Sequence, residues 1–73
     1  MGTVSKALTL LTYFNHGRLE IGLSDLTRLS GMNKATVYRL MTELQSAGFV
    51  EQVDGARSYR LGPQVLRLAA LRE

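Results

Sequence analysis

One stretch constrains this chain more than any other: Leu23 to Ala47, LSDLTRLSGMNKATVYRLMTELQSA. Its apolar residues fall at helical spacing in two blocks, separated by Gly31 and Met32. Ser24 stands where a hydroxyl would accept a bond from an unpaired amide of the first turn, capping the first helix. Asp25 then puts negative charge at the positive end of that helix dipole. Leu26 and Leu29 make a short apolar stripe. Gly31 occupies the position at which a helix end favours a left-handed residue with no Cβ. Asn33 is placed to cap the second helix, whose Val37, Leu40, Met41 and Leu44 recur at i, i+3, i+4 and i+7 as one buried face.

The opposite face of that second helix carries Lys34, Ala35, Thr36, Tyr38, Arg39 and Thr42. Its first two turns hold no acid, and Glu43 comes later. Small, hydroxylated and basic side chains suit a major groove, whose walls are phosphates and whose floor offers hydrogen-bonding base edges. The stretch therefore reads as a helix-turn-helix with its second helix, about residues 33–47, as the reader. The plainer alternative is a helical hairpin in a core, since many short helix pairs share a Gly-containing turn.

The remaining residues extend this unit on both sides. Thr3 to Asn15 is expected as a first helix, with Thr3 as its cap, Val4, Ala7, Leu8, Leu11 and Phe14 as its apolar face, and His16 in a last turn stopped by Gly17. His16 has no second ligand spaced to join it in a metal site. Leu19 to Leu23 is a short extended piece that would pair at the edge of a later hairpin. Gly48 ends the reader helix. Phe49 to Val53 is rich in β-branched and aromatic residues, Asp54-Gly55 is a turn signal, and Ser58 to Leu61 returns as a second strand. A two-residue turn would oppose Val50 with Tyr59. A four-residue loop, Asp54 to Arg57, would oppose Val50 with Leu61 and Glu51 with Arg60. The second register is preferred because it makes one apolar and one opposite-charge pair. Its tip would show Gly55, Ala56 and Arg57 to solvent.

Gly62-Pro63 opens a last helix, where Pro fits a first turn that needs no amide partner. Val65, Leu66, Leu68, Ala69 and Leu71 make it apolar on more than one side. The expectation is a piece of a longer protein, a dimer, or both.

Residues 1–73 thus form one domain, mainly α with a small β-hairpin: a winged helix-turn-helix. The wing, about residues 49–61, would bring Arg57 to a phosphate or a narrow minor groove. Amides at the starts of the paired helices, near Asp25 and Lys34, would hold phosphates without side chains. Composition agrees. Nine Lys and Arg stand against six Asp and Glu, a formal charge of +3. Divided at 23/24 and 47/48, the three parts carry two bases and one acid, three and two, and four and three, or +1 each. Any basic surface must then come from folding, and most scattered bases are simply solvated. With no Cys and a single His, a thiol-based metal site is excluded and an enzyme is not expected; no cofactor is implied. Glu43 with Glu51 or Asp54 reads as solvated charge. Lys6 interrupts the only apolar run near the N-terminus, and no run reaches about 20 apolar residues, so a soluble, cytoplasmic protein without membrane contact is expected.

The chain resembles the N-terminal DNA-binding domain of the IclR family of bacterial transcriptional regulators. The likeness runs through VSKALTLLTYF, LSDLTRLSGMNKATVYRLMTELQSAGFVEQ and SYRLGPQVLRLAAL, nearly the whole chain, with TVYRLMTEL and YRLGPQVLRLA the most diagnostic. It implies that Lys34, Thr36, Tyr38 and Arg39 face DNA, while Arg57 lies on a wing tip that varies in length. It also implies a larger C-terminal domain, absent from these residues, that binds a small effector and assembles dimers or tetramers. Thr27 departs from the pattern, which favours Ala there. A hydroxyl is tolerated at that position if it bonds back to its own helix.

Taken together, the DNA-facing candidates are Ser24, Lys34, Ala35, Thr36, Tyr38, Arg39, Thr42 and Arg57. Tyr38 has the alternative of resting against the core edge, and Arg39 a purely structural one. The leading expectation is binding to double-stranded DNA as a dimer on a pseudo-palindromic operator, because one domain reads only a few base pairs. The first and last helices are the candidate dimer surface. The alternative is a winged helix used for protein–protein interaction, which would predict a neutral or acidic reader face.

Overall fold

The turn at Gly31 sets the architecture. In the computed structural model, which describes residues 2–55 and 57–72, Gly31 adopts φ 69° and ψ 6° and its amide donates to the Thr27 carbonyl at 3.0 Å. This closes α2, Leu23–Ser30, and α3, Lys34–Ser46, follows. Asn33 caps α3 as its position suggested: Oδ1 accepts from the Ala35 amide at 2.8 Å and the Thr36 amide at 3.3 Å. The Thr27 hydroxyl donates to the Leu23 carbonyl at 2.9 Å, so the departure from Ala is satisfied within its own helix.

Before this pair lie α1, Thr3–Leu11, and β1, Ile21–Gly22; after it come β2, Val50–Gln52, β3, Ser58–Leu61, and α4, Pro63–Ala69. The sheet has the order β1-β3-β2, with both neighbours antiparallel to β3. The wing takes the four-residue-loop register, Val50 opposite Leu61 and Glu51 opposite Arg60. The Val53 amide closes the loop on the Ser58 carbonyl at 2.9 Å. Ala56 lies outside the described residues, so the expected tip is seen only at Gly55 and Arg57. Ile21 pairs with Tyr59, which makes β3 the central strand.

Leu10, Ile21, Leu26, Val37, Leu40, Met41, Val50 and Tyr59 form the core, one or more from every element but α4. Burying each of the aliphatic side chains contributes about 1.5–3 kcal/mol before the entropy of ordering is counted.

Four local expectations are corrected. Gly22, in extended backbone, is the N-cap of α2, so Ser24 lies within the first turn and makes no capping bond. Gly2, not Thr3, occupies the same place before α1. That helix ends at Leu11 rather than Asn15. The chain turns instead through Asn15 to Arg18, whose backbones bond reciprocally at 3.1 and 2.9 Å, with the Asn15 carboxamide accepting from the Gly17 amide. His16 therefore sits in a tight turn. Finally, α1 buries Leu10, while Val4 and Leu8 face solvent. The apolar arc of the helix is wider than one buried stripe, and the positions of α2 and α3 decide which part turns inward.

The two chain reversals that flank the hairpin touch backbone to backbone. Gly62 donates to the Phe49 carbonyl at 2.8 Å, and Gln64 donates to the Gly48 carbonyl at 3.0 Å. A Cβ on Gly62 would fall inside contact distance of the Gly48 carbonyl oxygen, so glycine is required there by closeness rather than by φ.

Candidate nucleic-acid interface

The reader face forms because the buried face of α3 is fully used. Val37, Leu40 and Met41 are buried and Leu44 packs on them, which leaves Lys34, Ala35, Tyr38, Arg39 and Thr42 outward and Thr36 half-buried at the edge. Tyr38 is 57% exposed, so more than half of it is open to solvent. Burial pushes the Tyr59 phenol above its ordinary value, and the neighbouring Tyr38 phenol acts in the same direction.

Two hydroxyls of α3 are engaged by their own helix. Thr42 donates to the Tyr38 carbonyl at 2.9 Å, and Ser46 donates to the Thr42 carbonyl at 3.1 Å. Their protons are therefore engaged by the helix. What they offer outward is an acceptor oxygen and, for Thr42, a methyl group, the chemistry that meets a base amino group or a thymine methyl. Ala35 adds little bulk in the first turn.

The charges divide into paired and unpaired sets. Arg39 donates to Glu43 at 3.3 Å, one turn along the helix. Arg28 donates to Asp25 at 3.3 Å on α2, and Arg60 grips one Glu51 oxygen through Nε at 2.7 Å and Nη2 at 2.6 Å on the wing. Lys34 and Arg57 have no ion-pair partner among the described residues. The Arg39–Glu43 pair went unread in the sequence, although the i, i+4 spacing is its signal.

Arg57 is exposed on the returning side of the wing loop, and its backbone is anchored. The Leu23 amide donates to the Arg57 carbonyl at 3.4 Å, and Ser58 donates to the Glu20 carboxylate at 3.2 Å. These bonds tie the foot of the wing to the start of α2, the region of Ser24, which is exposed there. The foot of the wing, with the unpaired Arg57, is thus fixed beside the first turn of α2, the helix that precedes the reader helix. Among the described residues no helix is long and apolar enough to cross a membrane.

The relatives have the same shape. The IclR helix-turn-helix domain matches residues 3–54. The chain is 36% identical over 66 residues to the glycerol operon regulatory protein of Streptomyces coelicolor, covering 90% of this chain and 26% of that protein. A crystal structure of a Silicibacter sp. TM1040 chain assigned to the IclR transcriptional regulators superposes with TM-score 0.94 at 96% identity, over 99% of this chain and 28% of the other. An IclR family transcriptional regulator from Brucella abortus superposes with TM-score 0.89 at 26% identity, over 96% and 27% respectively. The chain spans about a quarter of the length of the curated relatives it matches. Its winged helix-turn-helix is the one these regulators carry, and the chain belongs to the IclR family.

Proposed function

We propose that this domain binds duplex DNA in a sequence-specific manner, as the reading module of a longer bacterial transcriptional regulator. The observation that carries the proposal is the outer face of α3, where Lys34, Ala35, Tyr38, Arg39 and Thr42 stand clear of the core. In this reading α3 lies in the major groove. Arg39 meets a guanine edge or a phosphate, Thr36, Tyr38 and Thr42 bond bases or backbone, and Lys34 meets a phosphate. Arg57 reaches the flanking backbone or minor groove, and Ser24 lies near a phosphate at the start of α2.

The role is non-enzymatic, in line with relatives named as regulators, and it is exercised in the cytoplasm. A second copy completes the operator by two-fold symmetry. The exposed Val4 and Leu8 of α1, bordering a groove of about 290 Å³ against α3, and the exposed Leu66, Leu68 and Leu71 at α4 are the surfaces suited to pairing. A small effector acts through a part of the regulator outside these residues.

The test is a titration of labelled duplex DNA at several salt concentrations, with an acidic polypeptide as competitor. Binding that weakens steeply with salt yet persists against the polypeptide is expected. Failure to bind at low salt, repeated with the domain fused to a dimeriser, would refute the proposal and favour a protein-interaction role.

A further inference from the structure

α3 carries a single acid, Glu43. A carboxylate on a helix that enters a phosphate-lined groove is unfavourable unless something neutralises it. Arg39 does so here, from one turn back, with both side chains more than half exposed at 58% and 65%. So exposed a pair stabilises a helix only slightly. Its weight must lie in what it does to the surface.

The geometry is specific. Ala35, Arg39, Thr42 and Ser46 recur at i, i+4, i+7 and i+11 and form the outermost stripe of α3. Glu43 stands off that stripe, on the flank that meets α1, where it borders the groove lined by Leu8, Leu40 and Leu44. In the free domain the guanidinium is held toward that flank through one of its five N–H donors.

We propose that Glu43 is a positioning residue for Arg39 and sets how sharply the domain discriminates between duplex sequences. This rests on the DNA-reading function above. On a duplex with no acceptor pair opposite Arg39, the guanidinium stays on Glu43 and the pair offers the groove no net charge. On a duplex that places a guanine there, O6 and N7 accept from donors that Glu43 leaves open, and the carboxylate holds the fork in its plane. The non-specific mode loses an Arg39 contact with the DNA that the specific mode keeps. The gap between the two modes widens, which is discrimination built by repulsion as well as attraction.

The test compares two probes: a duplex enriched by the native chain from a randomised library, and the unenriched library itself. Glu43→Gln keeps the shape and removes the charge. Its affinity for the library should rise about two- to fivefold, the size of an exposed charge interaction, and the ratio between probes should fall by a similar factor. The salt slope on the library should steepen by about one. In an Arg39→Ala background the same change should move both probes equally. Circular dichroism melting checks that the fold is intact, with Glu43→Ala as a second neutralising variant. The inference is overturned if both probes shift alike in the native background, or if the ratio still falls in the Arg39→Ala background, since Glu43 would then act without Arg39. A native chain that enriches no duplex would refute the DNA-reading function itself, and this inference with it.

Discussion

Replacing Gly62 with alanine should damage this domain far more than its ordinary backbone angles suggest. Gly62 has φ −94° and ψ 176°, which any residue adopts. The new methyl, however, would press on the Gly48 carbonyl oxygen and lie 3.0 Å from both the Gly48 carbonyl carbon and the Val50 amide nitrogen. These are backbone atoms and cannot rotate away. Overpacking of this kind costs about 1–3 kcal/mol. Relief requires the two reversals to part, which weakens the Gly62–Phe49 and Gln64–Gly48 hydrogen bonds, each worth about 0.5–1.5 kcal/mol. Restricting the unfolded chain returns about 0.4–1 kcal/mol. The net loss is on the order of 2–4 kcal/mol. At about 4–8 °C per kcal/mol for a domain of this size, the thermal midpoint should fall by roughly 10–30 °C. Gly2→Ala is the matched control, since Gly2 is also an extended N-cap but its Cβ would meet nothing within 4 Å. The assay is thermal unfolding followed by far-ultraviolet circular dichroism. A Gly62→Ala midpoint within about 4 °C of the Gly2→Ala midpoint would refute the close-approach argument.

Asn33→Ala removes both capping bonds of α3 and should cost about 0.5–2 kcal/mol, read as a lower urea midpoint with an unchanged m-value. Arg39→Ala should lower specific DNA affinity by about 1–3 kcal/mol if the guanidinium reads a base, and should lower affinity equally on all sequences if it contacts phosphate; an unchanged affinity in a binding titration removes it from the site. Arg57→Ala should reduce the slope of log affinity against log salt by about one, and an identical slope leaves the wing out of the contact. Because Tyr59 is raised above its ordinary 10.0, the unfolded chain loses that proton first as pH rises. Its contribution to stability is complete below pH 10.0 and is lost as pH climbs from there through the folded-state value. Melting curves from pH 8 to 11 should show the decline, and Tyr59→Phe should flatten it.

The parts of the fold legible in the sequence are those settled within a few neighbouring residues. Asn33 caps because its side chain reaches amides two and three positions on, whatever the rest of the chain does. Gly31 is left-handed because the helix end and turn require it locally. The wing register followed from one charge pair and one apolar pair, and both formed. The inner side of α1 was not legible. Val4, Ala7, Leu8, Leu10 and Leu11 spread over an arc wider than one buried stripe, and the places of α2 and α3 select Leu10 for the core. The caps at Ser24 and Thr3 were misread by a residue or two, because extended Gly22 and Gly2 start those helices earlier. At the candidate site, the outward residues followed from the periodicity of α3. The anchoring of Arg57 did not, because it depends on backbone of α2 and a side chain of the segment before β1.

The pairing of Ile21 with Tyr59 has a kinetic consequence. The wing is shaped like a local hairpin, but its central strand is complete only when it meets a segment 38 residues away, the same separation as between Glu20 and Ser58. Closing a loop of that length carries an entropic penalty on the order of 3 kcal/mol, and little is recovered until the intervening helices have packed. The helix pair would therefore assemble early from near-neighbour contacts, and the sheet would close last. Substitutions at the β1–β3 seam should then act mainly by hastening unfolding, while those between α2 and α3 slow folding.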